Sequence, residues 1–160
     1  MKIIIWTNRK GIINRLIRFF THGKGTHAGF LRSDNKTIHE AFWPKVRDRQ
    51  ITAKDYKEAE VFEISGLTKQ QHKEFEILFN INIKKRIHYS IADLFRYLFN
   101  MPNKRHYHTF CSRYIIGCCQ TVLKDNQVPL VRLPSKDWAS PRDLLISPLL
   151  KQSSWTPNNK

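Results

Sequence analysis

Thr26-His27-Ala28-Gly29-Phe30-Leu31-Arg32, then Ser33-Asp34-Asn35-Lys36, then Thr37-Ile38-His39-Glu40-Ala41-Phe42 decide how this chain folds. Four turn-forming residues separate two apolar-containing runs, which is the pattern of a β-hairpin. A turn centred between Ser33 and Asp34 sets His27 opposite Glu40. A turn centred one residue later sets Glu40 opposite Gly29. Both registers have an even loop, so both put His27 and Glu40 on one face, directly or diagonally opposed, and His39 on the other. An odd loop would instead oppose His27 and His39. A glutamate beside an imidazole can orient the ring and hold it charged.

Outward from the hairpin, Lys2–Trp6 is Ile-rich and reads as a short buried strand. Gly11–Phe20 has apolar residues at helical spacing, broken by Arg15 and Arg18. It reads as a core-packing helix; the alternative is a basic amphipathic helix on a membrane surface. Trp43-Pro44 ends the second hairpin strand, because proline cannot donate to a ladder. Residues 45–58 are polar and charged and read as a long loop. Glu60–Ile64 alternates as a strand. Thr68 caps a helix over Lys69–Ile83, and Ser90, with Asp93 three residues on, opens another to Phe99. Asn100–Arg105 is a Pro-containing break. A helix runs from Cys111 to Lys124, Val128–Leu133 is a strand, and Ser140-Pro141 opens a last short helix. The order is α+β: an antiparallel sheet or small barrel packed against helices. One domain over residues 1–150 is expected, with 151–160 as a flexible tail.

Cys111 stands where this reading puts a helix N-terminus. There the helix dipole and free backbone N–H groups favour thiolate over thiol and can bind an oxyanion. Cys111, Ile115, Cys118 and Val122 share one helical face, so Cys118 and its neighbour Cys119 read as small core residues. Three cysteines give no disulfide framework, and a reducing compartment is the default. The run His106-x-His108-x2-Cys111 could supply metal ligands, with His22 or His27 as a fourth. Its spacing matches no common zinc module, so no metal and no cofactor is expected. No serine elbow motif is present.

The chain has 28 Lys and Arg against 13 Asp and Glu, a net charge of +15. Such a field favours polyanions, whether nucleic acid, anionic lipid or an acidic cell-wall polymer. With no zinc-finger, RNP-like or basic-zipper pattern, a nucleic-acid partner rests on charge alone. No apolar stretch is long enough for a membrane span, and the N-terminal apolar run is too short for a signal peptide; the expected location is cytoplasmic.

Three segments in order carry a family resemblance: Gly25-Thr26-His27-Ala28-Gly29-Phe30, then Ile38-His39-Glu40-Ala41, then Phe110-Cys111-Ser112-Arg113-Tyr114-Ile115. Together they resemble the circularly permuted branch of the NlpC-like cysteine hydrolases, the YiiX-type proteins of the papain-like superfamily. Ser140-Pro141-Arg142-Asp143-Leu144 is similar to the C-terminal P-x-D-L of that branch. The resemblance implies a permuted papain-like fold. It implies Cys111 as nucleophile at a helix N-terminus, His27 as general base and Glu40 as the residue that orients the imidazole. Tyr89, Tyr107 and His108 are expected to line the substrate site. Unpermuted cell-wall members have Asp before the nucleophile and a small residue after the Ser; here those places hold Phe110 and Arg113. The implied activity is a cysteine amidase or peptidase, thioesterase or acyltransferase. Its substrate is expected to be a peptide, an isopeptide or a lipid-acyl group, with cell-wall or anionic-membrane association. The alternative is a silent papain-like module or a basic polyanion-binding protein.

Overall fold

The computed structural model describes residues 1–99, 108–123 and 140–153. The expected strand Val128–Leu133, together with His106 and Tyr107, falls outside them. Eight strands form one sheet in the order β7-β6-β4-β3-β2-β1-β5-β8. They are β1 Lys2–Trp6, β2 His27–Leu31, β3 Thr37–Phe42, β4 Lys45–Gln50, β5 Ala59–Ile64, β6 His88–Tyr89, β7 His108–Thr109 and β8 Leu150–Gln152. Among the described residues, β6 and β7 pair in parallel and the other strand pairs are antiparallel. The helices are α1 Ile12–Thr21, α2 Ala53–Glu58, α3 Lys69–Lys84, α4 Ile91–Leu98, α5 Cys111–Leu123 and α6 Pro141–Leu145.

The hairpin takes the later of the two registers, with Phe30 opposite His39 and Leu31 opposite Ile38. His27 and Glu40 therefore share a face diagonally. The loop is held by Asp34, whose carboxylate accepts from the Lys36 and Thr37 N–H groups and the Thr37 hydroxyl. Gly29 lies against β3, where a Cβ would come within 3.2 Å of the Glu40 Cβ. Pleating sends the hairpin's side chains into two cores. Ala28, Phe30 and Ala41 join Ile3, Ile5, Phe75, Phe79 and Ile115 in the larger, beneath α3 and α5. Leu31 and Ile38 join Ile4, Trp6 and Val61 in the smaller, with Ile51 and Ala59 against it. Each fully buried Ile or Phe contributes about 1.5–3 kcal/mol of burial free energy.

Three expectations need correction. Residues 45–58 are not a loop. They form β4, paired along β3 from Thr37↔Gln50 to Phe42↔Lys45, and α2, capped reciprocally by Thr52 and Asp55. Helix α1 buries only Ile17 and Thr21, so its apolar face is not spent on the core. Lys151 and Gln152, read as part of the tail, belong to β8 and pair with Glu63 and Phe62.

Helix α6, with its Ser140/Asp143 capping box, props the loop before β2. Gly25 lies so close that a Cβ there would come within 3.0 Å of the Pro141 carbonyl. Arg142 donates to the Thr21 carbonyl at the end of α1. Among the described residues, no helix is long and apolar enough to cross a membrane.

Candidate active site

Cys111 is the first residue of α5, and the residue is 2% exposed. The helix lies under β2, which brings the sulfur to the start of that strand. The Ala28 and Ser112 N–H groups both donate to it, and it shares a hydrogen bond with His27. Burial alone would push the thiol up. The imidazole's hydrogen bond and charge, with the two amides, outweigh that and leave the pKa below the ordinary thiol value.

His27 is buried between Trp6, 4.9 Å away centre to centre, and Phe42, edge-on at 5.6 Å. Its Nε2 lies 3.0 Å from Glu40 Oε2, which leaves Nδ1 as the ring atom for the thiol. Burial disfavours the imidazolium. The hydrogen bonds and negative charges of Cys111 and then Glu40 overcome this and raise the His27 pKa. The pair is thus biased toward thiolate and imidazolium.

Glu40 has no exposed surface. Its Oε1 accepts from Arg47 Nε and Nη2 at 3.1 and 2.9 Å, and from Arg49 Nε at 2.9 Å. Desolvation opposes ionisation, yet His27 and the two guanidinium groups hold the carboxyl down at about 2. Arg49 also grips Asp55 through two bonds of 2.7 and 2.8 Å, and Asp55 accepts from the Trp6 indole N–H at 2.9 Å. The wall behind the imidazole is therefore a closed set of charge pairs running from Glu40 to α2.

The structure brings His27, Glu40 and Cys111 together. Tyr89 is near as well: burial, and then negative charge at Cys111, raise its phenol pKa. It packs on Ile17, Leu94 and Phe110, the residue before the thiol. His108 opens β7, one position before Thr109, which pairs with Tyr89; Tyr107 lies outside the described residues. Cys118 and Cys119 are buried as expected, and burial raises both thiols, Cys118 to about 12. Arg47, Arg49 and Asp55 were missed because residues 45–58 read as loop. The signal was present: Arg47 and Arg49 alternate with Val46 and Asp48, and Thr52-x-x-Asp55 has capping-box spacing.

No family model matches the sequence, and no curated protein matches it. Among solved structures, the crystal structure of YiiX from Escherichia coli O157:H7 superposes with a TM-score of 0.69. The fold is similar to that of YiiX. Sequence identity is 15%, and the match covers 96% of this chain and 94% of YiiX, so the likeness is one of whole-chain architecture. YiiX, which carries the domain of unknown function DUF1105, is called a metalloprotein. Among the described residues of this chain, no three His, Cys, Asp or Glu side chains are grouped to hold a metal ion. Cys111 and His27 are donors engaged with each other, and Glu40 faces the far side of the ring and two arginines. Among the described residues, then, these three side chains are hydrogen-bond partners of one another and of arginines, and His106 lies outside the described residues.

Proposed function

We propose that the chain is a cysteine hydrolase or acyltransferase that attacks an amide, thioester or ester carbonyl. One observation carries this reading: a thiol at a helix N-terminus, hydrogen-bonded to an imidazole whose other nitrogen is held by a buried carboxylate. The order of these residues and the YiiX-type fold support placing it with the permuted NlpC-like, papain-like enzymes. In this reading Cys111 Sγ, its proton already on His27, adds to the carbonyl carbon and displaces the amine, thiol or alcohol. The Cys111 N–H, which has no intrahelical acceptor at the first position of α5, faces the developing oxyanion. His27 protonates the leaving group. Water or an acceptor, deprotonated by the same imidazole, then releases the acyl group and restores the thiolate. Glu40 is a positioning residue that fixes the tautomer and the plane of the ring, and Tyr89 lines the approach to the sulfur.

The test is the pH dependence of iodoacetamide labelling, with each cysteine mapped by mass spectrometry. Cys111 should label well below the free-thiol pKa of about 8.5. Cys118 and Cys119 should stay unlabelled in the folded protein. Cys111→Ala should abolish turnover of an activated ester while keeping the melting temperature. A Cys111 that labels like an ordinary thiol, or a Cys111→Ala variant with full activity, removes the reading.

A further inference from the structure

Helix α1 leaves most of its apolar surface outside the core. At 100° per residue, Phe19, Ile12, Leu16, Phe20, Ile13 and Ile17 follow one another around an arc of about 160°. Of these only Ile17, at one end of the arc, is buried; Ile12 is 78% exposed, Ile13 55% and Phe19 72%. Helix α4 repeats the arrangement. Leu94 turns inward to Ile17 and Phe110, while Ile91, Phe95 and Phe99, spaced by one helical turn each, face out. Phe20 and Phe99 meet edge to face at 5.2 Å, which joins the two stripes into one apolar face. A continuous face of this kind marks an interaction surface.

The charge around that face is of one sign. Residues 1–33 contain seven Lys and Arg and no Asp or Glu. Arg15 is exposed along the edge of α1, and exposed Lys10 and Lys24 stand beyond its two ends. The one carboxylate of α4, Asp93, is buried and bonded to Arg96. A wide apolar helix face bordered by Lys and Arg fits the headgroup boundary of an anionic bilayer. A second copy fits poorly, because pairing the same face would bring two basic edges together on chains of +15 each.

We infer that α1 and α4 dock this protein on an anionic lipid surface. Ile12, Ile13, Phe19, Phe95 and Phe99 enter the interface, while Lys10, Arg15 and Lys24 meet the headgroups. The Ile17–Leu94–Phe110 cluster behind this face includes Phe110, the residue before Cys111. Docking would therefore hold the neighbourhood of Cys111 close to a source of lipid-borne acyl carbonyls. That consequence rests on the proposed thiol chemistry; the docking itself rests on exposure and charge.

The experiment is co-sedimentation of the full chain with phosphatidylcholine vesicles, with and without phosphatidylglycerol. The protein should bind the anionic vesicles at least about tenfold better than the neutral ones, and added salt should weaken binding. Arg15→Glu should weaken it by about tenfold. The double variant Ile12→Ser/Phe19→Ser should lose binding while its melting temperature holds, since both positions are exposed. Cys111→Ala should bind like the wild type. The inference fails if the wild type ignores anionic vesicles, binds neutral ones equally, or binds no better than the double variant. A dimer in sedimentation equilibrium that Phe19→Ser dissolves, without vesicle binding, would assign the face to a second copy and overturn it. Normal vesicle binding with an inert Cys111 would remove the catalytic reading and leave the docking standing.

Discussion

His27 and His39 lie on opposite faces of one hairpin, and each ring sits between a carboxylate and a protic side chain. His27 has Glu40 at 3.0 Å on Nε2 and the Cys111 thiol on its other side. His39 has Asp48 at 2.6 Å on Nδ1 and the Tyr114 hydroxyl at 2.6 Å on Nε2. The acid–imidazole half is alike in the two places, and the third partner differs. Tyr114 is three residues past the start of α5, where its N–H already bonds the Phe110 carbonyl, and burial drives its phenol pKa up. Cys111 takes the first position of the same helix, and two backbone amides hold its charge. His39 also stacks on Phe79 at 4.2 Å, and Asn82 donates to the Tyr114 oxygen, so the ring and the hydroxyl are enclosed, while Asp48 lies partly exposed at the rim. A row of acid, imidazole and hydroxyl or thiol is therefore not enough for chemistry; what stabilises charge on the last member decides.

The strongest way to break this contrast is to remove each ring in turn. His27→Ala should lower ester turnover by about a thousandfold and move Cys111 labelling to higher pH, because the two backbone amides alone then oppose burial of the thiol. His39→Ala should leave the Cys111 labelling profile in place. It should instead cost about 1–3 kcal/mol in a denaturant titration, since Asp48 and Tyr114 lose a buried partner. Equal labelling profiles for His27→Ala and the wild type would erase the distinction between the two faces.

Glu40→Gln is the next largest effect. Turnover should fall by about a hundredfold with Cys111 still present, because the amide can hold the ring in the wrong tautomer. The same variant has a stability signature. The folded carboxyl sits near 2, below its ordinary value of 4.5, so its contribution is complete above about 4.5 and is lost as pH falls toward 2. That depression is worth about 3 kcal/mol for a side chain with no exposed surface. Urea midpoints measured across that range should drop in the wild type and stay flatter in Glu40→Gln.

Tyr114→Phe should have the smallest effect. It removes the hydrogen bonds to His39 and Asn82 and should cost about 1 kcal/mol of stability. Cys111 labelling and turnover should not change. A change in either would mean that the two faces are coupled through α5.

Much of this arrangement can be read from the chain itself, because local pattern and burial agree there. The hairpin alternates cleanly, both even registers place His27 with Glu40, and Cys111 follows a helix start. Strand β4 defeats the same reading because it carries charge on both faces. Arg47 and Arg49 point to Glu40, and Asp48 points to His39 and Arg32. Charged residues normally mark solvent, and only the carboxylates supplied from β3 and α2 make a strand of them stable inside the fold. The two-residue strands β6 and β7 have no local signal, being held in place by the chains beside them. Helix α1 fails for the opposite reason: its periodicity is strong, but periodicity reports an apolar face without saying what covers it.

The fit of Gly25 against Pro141 has a consequence in time. On a ribosome His27 and Glu40 leave first, Cys111 follows 84 residues after His27, and Pro141 comes 30 residues later still. The loop that leads into β2 and His27 has its prop only when α6 has emerged. If Cys111 is the nucleophile proposed above, a chain released before Pro141 would lack this prop and should label at Cys111 at higher pH than the full chain.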